Sequence, residues 1–102
     1  MATKPETLFT QKVLRRLRND LPQVWVTKIM AGSIIGIPDL VGVCGGLFFA
    51  WELKVGQNKP TRIQVYVLEQ IRKAGGIGEV VTPENLETEF KRLSMAARSN
   101  QI

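Results

Sequence analysis

Phe9, Val13 and Leu17, with Leu14 beside them, place apolar side chains three and four residues apart in an otherwise polar stretch. That spacing puts them on one helical face and predicts a helix over about residues 5 to 19. Thr3 and Glu6 stand at capping-box spacing, Pro5 suits a first helical turn, and Pro22 ends the element. The pattern then changes. Residues 24 to 30 are rich in Val, Trp and Ile and read as a strand, and Ala31, Gly32, Ser33 and Gly36 make the next stretch a loop. Two further strands are predicted, over about 39 to 43 and 47 to 55. Gly45-Gly46 between them signals a hairpin, and the glycines also allow a longer turn.

Past a polar loop at 56 to 59, Pro60 is placed to open a second helix that runs to about residue 74. Ile63, Val67, Leu68 and Ile71 form its buried stripe, and Gly75-Gly76 stops it. Residues 77 to 81 read as a short apolar strand and 83 to 93 as a last amphipathic helix, with a frayed tail beyond Arg98. No repeat, linker or low-complexity tract interrupts the chain. Seven elements in 102 residues, ordered α-β-β-β-α-β-α, predict a single α/β domain with a mixed central β-sheet flanked by helices.

Along 47 to 55, strand alternation sends Phe48, Ala50, Glu52 and Lys54 to one side, and Leu47, Phe49, Trp51, Leu53 and Val55 to the other. Glu52 and Lys54 thus close an otherwise apolar run. They are either a solvent-facing pair at a strand end or charges at the edge of a core, where ionised groups are costly and mark functional sites. Asp39 favours the second reading. It opens the preceding strand directly after Pro38, and a hairpin between the two strands sets it beside Glu52. Two carboxylates facing one point repel unless a cation lies between them. An oxygen-only pair suits Mg²⁺ or Mn²⁺, and Lys54 beside it can stabilise an attacking hydroxide or the charge developing on a phosphate.

Composition narrows the chemistry further. The chain has no His and one Cys, which excludes His-dependent catalysis, an internal disulfide and a Cys-based zinc site. Cys44, between Val43 and Gly45, reads as a small buried hydrophobe. Fourteen Lys and Arg against nine Asp and Glu leave a net charge of +5. Four of the acids fall between Glu79 and Glu89, so the rest of the chain is strongly basic. Lys12, Arg15, Arg16, Arg18 and Lys28 form one cluster and Lys54, Lys59, Arg62, Arg72 and Lys73 another, a distribution that suits a polyanion. No apolar run reaches the ~20 residues that span a bilayer, and the start lacks a signal-peptide core. A cytosolic protein with no membrane partner is expected.

Gly36-Ile37-Pro38-Asp39-Leu40, followed thirteen residues after Asp39 by Glu52-Leu53-Lys54, resembles the signature of PD-(D/E)XK nucleases. Lys59-Pro60-Thr61-Arg62-Ile63-Gln64 and Ile71-Arg72-Lys73-Ala74-Gly75-Gly76 extend the likeness. Together they resemble the VRR-NUC family, in particular its short stand-alone phage and bacterial members, over about residues 5 to 82. The resemblance implies a restriction-endonuclease-like core and a Mg²⁺- or Mn²⁺-dependent DNA nuclease. Such enzymes act as endonucleases on branched DNA such as Holliday junctions, or as exonucleases on flaps. It implies Asp39 and Glu52 as metal ligands joined by the Leu53 carbonyl, Lys54 as the catalytic lysine, and Gln64 as the residue that orients the lysine or a phosphate. Glu6, a few residues before Phe9 and Lys12-Val13, matches a further catalytic and metal-binding acid. Glu6 also has the spacing to close a capping box with Thr3, and Gln64 also reads as an ordinary helix residue.

DNA contacts are expected from Lys59, Arg62, Lys28, Arg15 and Arg16, and from Ser33 in its loop. Tyr66 and the two Trp residues read as packing. Cutting both strands of a junction needs two active sites, so a homodimer is expected, with the last helix and the strand at 77 to 81 as candidate interface elements. Two other readings stay open: a non-catalytic DNA-binding or assembly module on a degenerate nuclease fold, and a housekeeping core whose acids are coincidental.

Overall fold

The computed structural model describes residues 4–30 and 34–101. Three helices and four strands follow the expected order: α1 (Pro5–Asp20), β1 (Val24–Lys28), β2 (Leu40–Cys44), β3 (Leu47–Leu53), α2 (Arg62–Lys73), β4 (Ile77–Val81) and α3 (Leu86–Asn100). The strands lie side by side as β1-β2-β3-β4. The first three are antiparallel neighbours, and β4 runs parallel to β3. A parallel pair needs a crossover, and α2 supplies it. Gly45 and Gly46, at φ +58° and +81°, form a two-residue turn between β2 and β3, the shortest form the sequence allows.

The two faces of the sheet are covered unequally. On one, Phe9, Val13 and Leu17 of α1 and Leu86, Leu93 and Ala97 of α3 close over Val26, Leu40, Cys44, Phe49, Trp51, Leu53 and Val81 in one core. Burying a large apolar side chain there stabilises the fold by about 1.5–3 kcal/mol. Phe49 and Trp51 meet edge to face with ring centroids 5.9 Å apart. Cys44 is buried as expected, and burial pushes its thiol pKa up, which keeps it unreactive.

The opposite face carries α2, which packs on β4 and β3. The approach is close because β4 presents Gly78: a Cβ there would lie 2.8 Å from the Leu68 carbonyl oxygen. Of the stripe expected to be buried, only Leu68 is. Val67 and Ile71 are half-buried and Ile63 is 45% exposed, because α2 packs through one narrow face and carries no second layer.

Several ends differ from the pattern-based expectation. Thr3 lies outside the described residues. The N-cap position of α1 falls on Lys4, which makes Glu6 the second helical residue rather than the third that a capping box uses. α2 starts at Arg62 rather than Pro60 because Thr61 caps it. Thr61 Oγ1 accepts the Gln64 N–H, and Gln64 Oε1 accepts the Thr61 N–H at 2.9 Å. α3 starts later and continues past residue 93 because Leu93 and Ala97 prolong its buried stripe. Its end, expected to fray, is tied down: Asn100 donates to the Gly45 carbonyl at 3.1 Å, and Gln101 bonds the Gln23 side chain. No helix among the described residues is long and apolar enough to cross a membrane.

Candidate active site

β2 and β3 bring the two singled-out carboxylates together. Leu40 pairs with Trp51, so one further step along the ladder sets Asp39 opposite Glu52 with both side chains on the α2 face. Pro38, fully buried, fixes the backbone just before Asp39. The Asp39 carbonyl still accepts the Ile29 N–H at 2.8 Å, so the residue is held although β2 formally begins after it. β3 ends at Leu53 rather than residue 55, and the Lys54 N–H donates to the Val81 carbonyl at 3.0 Å, anchoring that residue at the strand end. Asp39, Glu52 and Lys54 stand together on the wall of an open cleft of about 480 Å³ at this end of the sheet.

Within the cleft Glu52 is only 2% exposed. Its Oε2 lies 3.2 Å from Lys54 Nζ, and its Oε1 is buried with no hydrogen-bond partner among the described residues. Asp39 Oδ2 accepts the Leu53 N–H at 2.8 Å. Burial, and then the charge of Asp39, push the Glu52 carboxyl above the ordinary carboxylate range, while Lys54 pulls it the other way. A buried carboxylate with an orphan oxygen beside a second carboxylate is unfavourable in isolation. The donor set fits a hard divalent cation such as Mg²⁺ or Mn²⁺, which would satisfy the orphan oxygen and offset the repulsion.

The other expected residues are placed unevenly. Glu6 reaches the cleft wall from α1 but is exposed, and no three acidic, His or Cys side chains among the described residues are placed to hold an ion together. Gln64 also lines the cleft, where its Oε1 holds the start of α2 through the capping box. Lys28 stands exposed on the cleft at the end of β1. Lys59 and Arg62 are exposed on the segment between the cleft residues Asn58 and Gln64. Arg15 and Arg16 lie away from it. Arg15 borders a separate depression on α1, and Arg16 bonds Asp20 and Glu87 and lies over the Phe90 ring, joining α1 to α3. Ser33 and Gly32 lie outside the described residues.

Three polar cleft residues escaped the spacing argument. Asn58 had a usable signal, being a polar side chain in the loop just past Lys54. Thr7 and Thr10 reach the cleft from the same helix as Glu6, and nothing in periodicity marks them. The chain matches no protein-family model and no curated protein.

The Glu52 environment sets a stability test. Its raised pKa means that the folded, metal-free protein holds this proton to higher pH than the unfolded chain does. Stability is therefore lost as pH rises from the ordinary value of 4.5 up to the raised folded value. Glu52→Gln cannot ionise, and its amide can donate to Asp39. In EDTA at about pH 7.5 the variant is expected to melt a few degrees above wild type, with the gap closing at or below about pH 4. Thermal melts at the two pH values check this. A variant that melts below wild type at about pH 7.5, with the gap again closing near pH 4, would show that the Lys54 ion pair outweighs the cost of burial.

Proposed function

We propose that this chain is a Mg²⁺- or Mn²⁺-dependent deoxyribonuclease with a restriction-endonuclease-like core of the VRR-NUC type, hydrolysing phosphodiester bonds in branched DNA such as four-way junctions or flaps. The observation that carries this reading is the Asp39–Glu52 pair at the end of the sheet. Glu52 has one buried oxygen without a partner and the other 3.2 Å from the Lys54 ammonium, and the group opens onto a cleft. The motif likeness from Gly36 to Gly76 supports it.

In this reading Asp39 and Glu52 hold the cation, with the adjacent Leu53 carbonyl available as a third oxygen. When bound, the ion acts as a Lewis acid and lowers the pKa of its water. Lys54 holds its ammonium beside the pair, where it stabilises negative charge growing on a phosphate. Lys28, Lys59 and Arg62 hold neighbouring phosphates, and Asn58 and Thr7 add neutral donors. Glu6 sits where it can hold a water at the outer wall of the cleft. Both strands of a junction need a site, so the working unit is a homodimer.

The direct test is incubation with four-way, flap, single-stranded and linear duplex DNA in Mg²⁺, Mn²⁺ and EDTA. Metal-dependent cutting that favours the branched substrates is expected, and no cutting of any of them in either metal would overturn the reading. The geometry also sets how DNA binding should respond to charge. Reversing Lys59 and Arg62 is expected to weaken binding to all sequences alike and to reduce the salt slope by about 2, whereas reversing Arg15 leaves the slope nearly unchanged. Binding to a labelled junction at several salt concentrations, in Ca²⁺ to suppress cutting, measures this. A strong preference among linear duplexes of different sequence would point to base reading instead.

A further inference from the structure

Trp25 was expected to pack, and the structure leaves it 64% exposed. It is not isolated. Trp25 pairs with Val43 across β1 and β2, and Val43 pairs with Phe48 across β2 and β3. Val43 is 40% and Phe48 41% exposed, so one row of side chains on the α2 face shows apolar surface to solvent across three strands. The next row on this face is Thr27, Val41 and Ala50, in the same register. None of these six residues is charged, in a chain of net charge +5. α2 borders the face: Ile71 and Phe48 both lie against Gly76, and Val67, one turn earlier, is half-buried on the same flank.

We propose that this face, over β1, β2 and the Phe48 end of β3, is where a second copy of the chain docks by two-fold symmetry. The area is adequate. Trp25 and Phe48 alone expose roughly 250 Å² of ring surface. With Val43 and the half-buried Thr27, Val41, Val67 and Ile71, the face amounts to on the order of 500 Å² per copy, or ~1,000 Å² between two, the threshold for a specific interface. Charge selects the occupant. A face without Lys or Arg does not hold a polyanion, and self-apposition here brings no like charges together, unlike the basic surface elsewhere. The elements expected to form the interface fit less well. α3 points its apolar residues Leu86, Leu93 and Ala97 into the core, and β4, the sheet's other edge, engages Arg72 through the Gly78 carbonyl and Glu79.

The assignment of this face stands on exposure, register and charge, independently of the nuclease reading. Only its use, to hold two cation sites at a fixed spacing, rests on that reading. Phe48 and Glu52 lie four residues apart on one side of β3, about 13 Å along the strand, so docking over the first leaves the second open.

Sedimentation velocity from about 1 to 200 µM tests the proposal. The wild type is expected to sediment at twice the chain mass at the upper end, with a dimerisation constant nearly independent of salt. Tryptophan emission provides a second readout that needs no variant. Trp51 is already buried, so a blue shift with rising concentration reports Trp25. Trp25→Glu and the milder Trp25→Ser are expected to be monomeric with unchanged circular dichroism, while Arg92→Glu on α3 stays dimeric. A wild type that is monomeric at 200 µM, or a dimer that survives both Trp25 variants, would overturn the assignment. Mn²⁺ binding by the monomeric variants, measured alongside, separates failure of this face from failure of the cation site.

Discussion

Asp39→Asn and Glu52→Gln are each expected to reduce DNA cleavage by ~10³-fold or more, about 4 kcal/mol of transition-state stabilisation, while the chain stays folded and still binds DNA. The size follows from the composition of the site. There is no His in the chain, the one Cys is buried on the opposite side of the sheet, and the third acid on the cleft, Glu6, is exposed and not grouped with the pair, so a lost ligand has no ready replacement. Each substitution removes a negative charge and keeps the side-chain size, so the paired strands remain compatible with the variant. Glu52→Gln carries a further signature. The change that stops cleavage should raise the melting temperature in EDTA, because the buried charge it removes is a local cost to the fold. A ligand pair retained at the expense of stability is the expected pattern for a functional site. Cleavage rates on a labelled four-way junction, with circular dichroism and binding in Ca²⁺ on the same preparations, measure all three quantities. Near-normal cutting by either variant would remove Asp39 and Glu52 from the reaction.

Lys54→Ala is expected to lower the cleavage rate by ~10²-fold, the scale for losing one electrostatic stabiliser, with the loss in kcat rather than in DNA affinity. Lys54 is only partly exposed and held 3.2 Å from Glu52, so it is aimed into the cleft rather than at bulk solvent. Lys54→Arg should recover little, because a planar fork does not reproduce a compact ammonium at that distance. Single-turnover rates at saturating metal separate the two quantities. Wild-type turnover in the Ala variant would reduce Lys54 to a counter-charge for Glu52.

The parts of the molecule legible in the sequence are those with strong period or punctuation. The α1 stripe of Phe9, Val13 and Leu17, the Gly45-Gly46 turn and β4 follow from spacing and turn chemistry alone, and all three appear as expected. The Asp39–Glu52 apposition was legible too, since a two-residue hairpin fixes register and register fixes which residues face each other. Other features depend on tertiary packing. The length of α3 is set by Ala97 reaching the core and Asn100 reaching the hairpin, which no local pattern encodes. Ile63, Val67 and Ile71 carry a helical stripe but face a sheet whose β1 and β2 strands no described helix covers on that side. Pattern predicts which side of a helix is apolar; whether something lies there to cover it is a property of the fold. Trp25 is the same case on a strand. Gln64 shows one residue satisfying two readings, since its position on the cleft and its part in the Thr61 capping box arise from the same turn.

The central claim is that Asp39 and Glu52 form a divalent-cation site, and Mn²⁺ binding tests it without requiring the right DNA. Free Mn²⁺ is followed by electron paramagnetic resonance as the ion is titrated into wild type, Asp39→Asn and Glu52→Gln, each shown to be folded. The expected result is saturable binding by the wild type, competed by Mg²⁺, and loss of that binding in both variants. Equal Mn²⁺ uptake by all three proteins, or none by the wild type at millimolar concentration, would contradict the account.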